Sequence, residues 1–99
     1  MAKAKVIWRE RAAANIVRLR SFLSDKDTKA AQRALRVIYG GGELLAAHPK
    51  LGRPIDDGSH RRELFLAFGS GFYVIRYFID PNNTVVIVRI WHSKENQTI

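Results

Sequence analysis

The chain has 99 residues, no cysteine and a net charge of +8, with 17 Lys and Arg against 9 Asp and Glu. This length predicts a single domain, residues 1–99, near the small end of what supports one hydrophobic core. The composition excludes disulfides, thiolate metal sites and thiol nucleophiles, and the charge favours acidic or polyanionic partners. The N-terminal residues contain no apolar signal segment, and no run approaches the roughly 18 apolar residues of a membrane span. We therefore expect a soluble, cytoplasmic protein with no membrane partner.

The N-terminal part of the sequence predicts a short strand followed by a helix. Residues 5–8 are mostly apolar and suit a first strand. From Ala12 onward, apolar residues recur at intervals of four, three and four, which places them on one helix face. This stripe consists of Ala12, Ile16, Leu19 and Leu23. Ser24 and Asp25 are expected to end the helix.

A second helix is predicted to begin after Asp27 or Thr28, either of which can serve as its N-cap, and to end before Pro49. Its apolar stripe consists of Ala31, Leu35, Ile38, Gly42 and Leu45. Residues 40–42 are all glycine, and three glycines disfavour a helix by about 2–3 kcal/mol relative to alanine. Two interpretations stay open: the first helix packs closely against this bare backbone, or the glycines break the second helix into two pieces.

Three strands are predicted in the last third of the chain, after a turn-rich loop at residues 50–59. Leu64, Leu66 and Phe68 alternate with Phe65 and Ala67, and residues 69–71 form a hairpin turn. Residues 72–79 are apolar on both faces, and residues 80–83 form the next turn. In the last strand, simple alternation places Val85, Ile87 and Trp91 on one face and Val86, Val88 and Ile90 on the other.

This order predicts an α+β domain, β-α-α-β-β-β, with two helices packed on one face of an antiparallel sheet. The other sheet face is then left partly apolar and dotted with arginine, and such exposed patches usually mark interaction sites. The second helix adds a basic face that has no acidic residue before Glu43. We predict a partner-binding surface that includes Lys29, Arg33, Arg36, Arg62, Arg89 and Trp91.

Arg76 lies in the middle of an apolar strand, where an unpaired charge would be costly. It either forms an ion pair with Glu63 or Asp80, or displays its guanidinium to a phosphate or carboxylate. A turn centred near Asn82 would pair Arg76 with a residue near Val88.

His92 lies at the end of the last predicted strand. The same turn would place it roughly 13 Å along the strand from the residue opposite Arg76, too far for the two side chains to pair. Arg61 or Arg62, in the neighbouring strand, is expected to lie closer to His92.

Several chemistries find no support in the sequence. No serine or cysteine nucleophile motif occurs, and the three histidines are far apart with no metal-binding spacing. The glycine clusters lack the residues of phosphate-binding and dinucleotide-binding loops. We expect no metal and no cofactor.

The ordered motifs resemble those of the RelE/ParE superfamily, the toxins of bacterial type II toxin–antitoxin modules. The resemblance covers nearly the whole chain. It rests on His48-Pro49 followed by Leu51-Gly52-Arg53-Pro54, on Arg62-Glu63-Leu64, on Tyr73-Val74-Ile75-Arg76-Tyr77, and on Val86 to Glu95. The family implies a compact α+β toxin that is silenced by a cognate antitoxin.

The resemblance implies two targets, and a third hypothesis is a non-toxic binding module of the same fold. The Gly-Arg-Pro loop and the Arg-x-x-His-x-x-Glu ending favour the ParE-like branch, whose members poison DNA gyrase without chemistry of their own. RelE-like members cleave mRNA on the ribosome without a metal. Under that alternative, Arg53, Arg61 and Arg76 would hold phosphates and His92 would act as general acid or base.

Overall fold

The computed structural model describes residues 3–95, so both ends of the predicted domain 1–99 lie outside the described residues. The chain forms two helices and five strands in the order β-α-α-β-β-β-β. The strands are β1 (Val6–Trp8), β2 (Arg53–Pro54), β3 (Arg62–Phe68), β4 (Gly71–Ile79) and β5 (Val85–His92), and the helices are α1 (Glu10–Ser24) and α2 (Thr28–Ala47). Apart from β2, two residues within the predicted loop, the predicted elements are all present.

One sheet contains all five strands in the order β1-β5-β4-β3-β2, and the two helices pack on one of its faces. The predicted α+β class is thus confirmed, but the sheet is mixed. β2, β3, β4 and β5 pair antiparallel, whereas β1 pairs parallel to β5, with Val6 opposite Val85. Parallel neighbours need a long crossover connection, and the chain from α1 to β4 provides it.

The predicted helix faces form the core. In α1, Ala12, Ile16 and Leu19 are buried, and Leu23 packs against them. The Asp27 side chain is the N-cap of α2 and accepts hydrogen bonds from the backbone N–H groups of Lys29 and Ala30. Helix α2 ends at Ala47, before the predicted limit. These helices cover one face of β3, β4 and β5.

Helix α2 runs unbroken through its three glycines, which decides between the two interpretations in favour of close packing. The packing partner, however, is the sheet, including β1, rather than α1. A Cβ atom on Gly41 would lie 2.5 Å from a Leu66 methyl group, and one on Gly42 would lie 2.5 Å from the Trp8 ring. The bare backbone therefore lets α2 approach the sheet closely.

We expect Gly42→Ala to destabilise the protein by about 1–2 kcal/mol, because the clash with the rigid Trp8 ring outweighs the gain in helix propensity. Gly40→Ala is the matched control. Nothing lies within 4 Å of a Cβ at Gly40, so this variant should be more stable than the wild type by up to about 1 kcal/mol. Urea unfolding of the three proteins checks both signs, and equal effects of the two substitutions would contradict this account.

A β-bulge in β5 changes the predicted faces of that strand. Arg76 pairs with Arg89 but Tyr77 pairs with Ile87, so Val88 is an extra residue in the ladder. Beyond the bulge the alternation is reversed. Ile90 joins Ile87 in the core, and Trp91 lies on the outer face, so the predicted placement of these two residues is wrong. The bulge also places Arg89 beside Arg76.

The loop between α2 and β3 is held against β4 by Tyr77. Its buried hydroxyl donates to the Pro49 carbonyl at 2.7 Å and accepts from the Gly52 N–H at 2.8 Å. Arg62 holds the same loop, because its guanidinium donates to the carbonyls of Lys50 and Gly52. Four backbone polar groups of the loop are thereby satisfied by two side chains from the sheet.

We expect Tyr77→Phe to reduce the free energy of unfolding by about 2 kcal/mol, because two backbone groups lose their buried partner. Tyr39→Phe is the control, since Tyr39 is 49% exposed, and it should change stability by less than about 0.5 kcal/mol. Chemical denaturation at neutral pH measures both. A harmless Tyr77→Phe would mean that water replaces the hydroxyl.

The same variant should alter the pH dependence of stability. Burial raises the pKa of Tyr77 and of Tyr73 above the ordinary value of 10.0. A raised folded-state pKa contributes stability that is fully present below about pH 10 and is lost as pH rises through the folded-state pKa. The wild type should therefore lose stability above pH 10, and Tyr77→Phe should lose less over that range.

Candidate functional site

The outer face of the sheet carries arginines stacked on aromatic rings. Arg76 and Arg89 lie over the Trp91 ring, with the guanidinium carbon 4.9 and 5.5 Å from its centre. Arg53 lies over Phe65 at 5.2 Å, and Arg9 over Phe78 at 5.5 Å. Such stacking stabilises a guanidinium and fixes its plane. The face therefore presents oriented positive groups on an apolar support.

Five arginines converge on one groove of about 490 Å³ on this face, which we call the arginine groove. It is bounded by the start of α1, the loop before β3, and strands β4 and β5. Glu10 is the one acidic side chain among the lining residues, and Val88 at the bulge contributes an apolar wall. The arginines are Arg9, Arg11, Arg61, Arg76 and Arg89.

The charges of this groove are only partly neutralised. Arg76 donates to Glu63 from Nε at 3.0 Å and from Nη2 at 2.7 Å, so the predicted ion pair with Glu63 is present. Burial lowers the pKa of Arg89, and the positive charges of Arg11 and Arg76 lower it further. Repulsion between neighbouring guanidinium groups is relieved when an anion binds among them. The groove is therefore suited to an anionic ligand.

His92 lies on the opposite, helix-facing side of the sheet. Its ring packs edge-on against Tyr73, with centroids 4.9 Å apart. Its Nε2 lies 3.0 Å from the Phe68 carbonyl oxygen, and its Nδ1 accepts from the Lys94 N–H at 3.1 Å. Both ring nitrogens thus have protein partners in the tautomer with the proton on Nε2. The strand-end histidine holds the β5 terminus to the β3–β4 hairpin.

The four residues predicted for ribonuclease chemistry are not brought together. Arg61 and Arg76 share the arginine groove, Arg53 lies over Phe65, and His92 lies on the other face. The expectation that Arg61 or Arg62 lies closer to His92 is wrong. Arg62 pairs with Tyr77 and His92 with Tyr73, so the antiparallel register puts them at opposite ends of β4.

A second groove, of about 570 Å³, lies between α2 and the β3–β4 hairpin, and we call it the helix groove. Arg33 and Arg36 border it, and the rest of its lining is small or apolar: Ala30, Val37, Ala67, Phe68 and Gly69. Of the other predicted partner-binding residues, Lys29 is exposed at the start of α2, while Arg89 and Trp91 belong to the outer face. The Arg62 guanidinium is hydrogen-bonded to carbonyl groups of the loop between α2 and β3.

Sequence reasoning missed Arg9 and Arg11 as site residues. They enter the arginine groove because β1 pairs parallel to β5, with the Arg9 N–H donating to the Ile87 carbonyl at 3.0 Å. The sequence signal for these residues was the cluster of basic residues in the first twenty positions. The position of that cluster relative to the sheet depends on the pairing of β1 with β5, which joins the two ends of the chain. The ion pair of Arg18 with Glu95 was missed for the same reason.

Within residues 3–95, no group of three or more His, Asp or Glu side chains is placed to hold a metal ion. None of the helices that the structure describes is long and apolar enough to cross a membrane.

Comparison with known proteins defines the class to which this fold and surface belong. The chain is 39% identical over 87 residues to a protein described as Toxin RelE3 of Caulobacter vibrioides, covering 88% of this chain and 91% of that one. It is 33% identical to Toxin RelE1 of the same organism, over 88% of this chain and 90% of the relative. Both relatives are described as toxins, and the chain therefore belongs to a class of toxin proteins.

The family follows from a match over most of the chain. The model of the ParE toxin of the type II toxin–antitoxin system parDE matches residues 6–97. The chain therefore belongs to the ParE toxin family.

Two solved structures share the fold. A chain of the chromosomal ParDE toxin–antitoxin system from P. aeruginosa has a TM-score of 0.74 at 16% identity, covering 91% of this chain and 96% of that one. A chain of the toxin–antitoxin complex RelBE2 from Mycobacterium tuberculosis has a TM-score of 0.62 at 20% identity, covering 96% of this chain and 97% of that one.

Proposed function

We propose that this toxin inhibits DNA gyrase in the cytoplasm without chemistry of its own, and that a cognate antitoxin neutralises it. The position of His92 is the observation that supports inhibition without chemistry. A general acid or base must come within hydrogen-bond reach of the scissile group. His92 is separated from the arginine groove by the sheet itself, and its ring nitrogens already have partners on the protein.

Apart from Glu10, the arginine groove offers no side chain that could replace that histidine as a general acid or base. Its lining residues are arginines, Val88 and Glu10. Guanidinium groups stay protonated at neutral pH and cannot exchange protons with a substrate. This chemistry supports binding to a target rather than cleavage of RNA.

The antitoxin surface we propose combines the helix groove with the apolar part of the outer face beside it. Phe65 and Phe72 pack edge-on with ring centroids 6.2 Å apart, and they are 42% and 46% exposed. The groove presents an apolar floor with Arg33 and Arg36 at its border. An amphipathic segment with acidic side chains complements both features. Both structural neighbours come from toxin–antitoxin systems.

The deciding experiment compares the wild type with His92→Ala in cells. We expect both proteins to arrest growth with DNA-damage signalling and to inhibit supercoiling by purified gyrase, the variant within about threefold of the wild type. His92 orders a strand end, so its removal should lower the free energy of unfolding by about 1 kcal/mol and leave the activity in place.

Primer extension on translated messages tests the alternative in the same cultures. In-frame cuts by the wild type that disappear in His92→Ala, with antitoxin binding retained, would establish a RelE-like ribonuclease and refute the gyrase proposal. A protein that neither cuts messages nor inhibits gyrase would be a binding module of the same fold. Co-expression with the cognate antitoxin controls for fold, because a folded toxin is recovered as a complex.

A further inference from the structure

We propose that the arginine groove binds the phosphate backbone of double-stranded DNA without cleaving it, so that the toxin engages gyrase together with its DNA. The role in gyrase recognition rests on the function proposed above. The binding itself rests on the charge, the ring stacking and the lining of the groove.

The charge balance identifies the ligand as a polyanion. Five arginines line one groove. The carboxylates near them are Glu10 in the lining, Glu63, which is paired with Arg76, Glu95, which is paired with Arg18 and lies near Arg89, and Asp57, which lies near Arg61 and Arg76. The pKa of Arg89 is lowered, by burial and then by Arg11 and Arg76. A single carboxylate would satisfy one guanidinium fork, whereas a row of phosphates can satisfy several. Arginines spread over strands, helix and loop therefore match a repeating anion.

The aromatic rings indicate which kind of nucleic acid fits. Proteins that bind single strands present open ring faces on which bases stack. Here the Trp91 ring is covered by Arg76 and Arg89, and the Phe78 ring lies beneath Arg9. The rings thus act as supports for guanidinium groups. A surface that offers charge but few free ring faces suits a duplex, whose phosphates are outside and whose bases are stacked inside.

Glu10 is the one lining side chain of the groove that could act as a base, and the others are guanidinium groups and Val88. Guanidinium groups stay protonated at neutral pH and hold a phosphate without activating a nucleophile. Contacts of this kind position a protein on DNA without reading its sequence. We therefore expect sequence-independent binding with a strong dependence on salt.

The test measures fluorescence anisotropy of a labelled short DNA duplex with the full-length protein made by cell-free synthesis. We expect Arg11→Gln combined with Arg61→Gln to weaken duplex binding by about tenfold or more. The slope of log K against log salt should fall by about 2, since each lost phosphate contact removes about one. Neither residue has a structural hydrogen bond from its side chain among the described contacts.

The matched control is Arg20→Gln combined with Lys26→Gln. Both residues are exposed on or just after α1, outside the groove, and the net charge changes by the same amount. This variant should bind the duplex within about twofold of the wild type. Circular dichroism melts of both double variants establish that the fold is retained.

The outcomes separate this inference from the gyrase proposal. Loss of duplex binding in the groove variant but not in the control supports the inference, whatever the gyrase assay gives. Equal losses in both variants, tighter binding to single-stranded DNA or RNA of equal length, or preference for an acidic peptide would overturn it. Gyrase inhibition by a protein that binds no DNA would also overturn it, while leaving the proposed target in place.

Discussion

The double substitution Arg33→Glu and Arg36→Glu is expected to weaken antitoxin binding by about a hundredfold or more and to leave growth arrest intact. Both arginines border the helix groove. Reversing them turns two attractive contacts into like-charge contacts with an acidic partner, and such contacts cost several kcal/mol when water is excluded. A hundredfold change corresponds to about 2.7 kcal/mol.

Isothermal titration of toxin with antitoxin measures the loss, and co-expression in cells shows whether the antitoxin still rescues growth. The control is Arg20→Glu with Lys26→Glu, which reverses two charges away from the helix groove. If the antitoxin still neutralises the Arg33 and Arg36 variant, the antitoxin surface lies elsewhere. If the control loses binding equally, the effect is one of overall charge.

The substitution Arg76→Met should lower the free energy of unfolding by about 2–3 kcal/mol. It leaves the Glu63 carboxylate, whose side chain is only 17% exposed, without its two hydrogen bonds. When a part-buried ion pair loses one partner, the remaining charge is left unpaired in a poorly solvated position. The variant also loses the stacking of Arg76 on Trp91.

A double variant distinguishes the cost of the unpaired Glu63 charge from the cost of lost packing. With Arg76→Met and Glu63→Leu together, no charge remains on that part of the sheet, and replacement of both partners by apolar groups is often nearly neutral. We expect the double variant to be more stable than Arg76→Met alone, by at least about 1 kcal/mol in urea unfolding. Equal stabilities would mean that the carboxylate finds water and that packing carries the whole effect.

The parts of the fold that sequence predicts well are those fixed by local chemistry. The stripe that begins with Ala12 and Ile16 reads directly as a buried helix face. Asp27 is an N-cap because a carboxylate oxygen reaches the next free N–H groups. Asp80 likewise fixes the β4–β5 turn, where its side chain accepts from the N–H groups of Asn82 and Thr84.

Features that depend on distant parts of the chain were harder to predict. The glycines of α2 could be interpreted only once Trp8 and Leu66 were known to face them. The bulge at Val88 leaves no mark in an apolar run of four residues, yet it exchanges the faces of Ile90 and Trp91. The candidate site shows the same limit, since the sequence suggests Arg61, Arg76 and Arg89 but not their meeting with Arg9 and Arg11.

The position of β5 in the sheet has a consequence for when the toxin acquires its shape. β5 is the last strand to be synthesised, and it lies between β1 and β4, with its Ile90 N–H held by the Asn15 side chain of α1. Although α2 packs against both β1 and α1, neither has its strand partner until residues 85–92 have left the ribosome. Pairing between chain ends is slow because a long loop must close first. The sheet is therefore completed only after β5 has been synthesised, and an antitoxin already present in the cell can bind the chain as it folds.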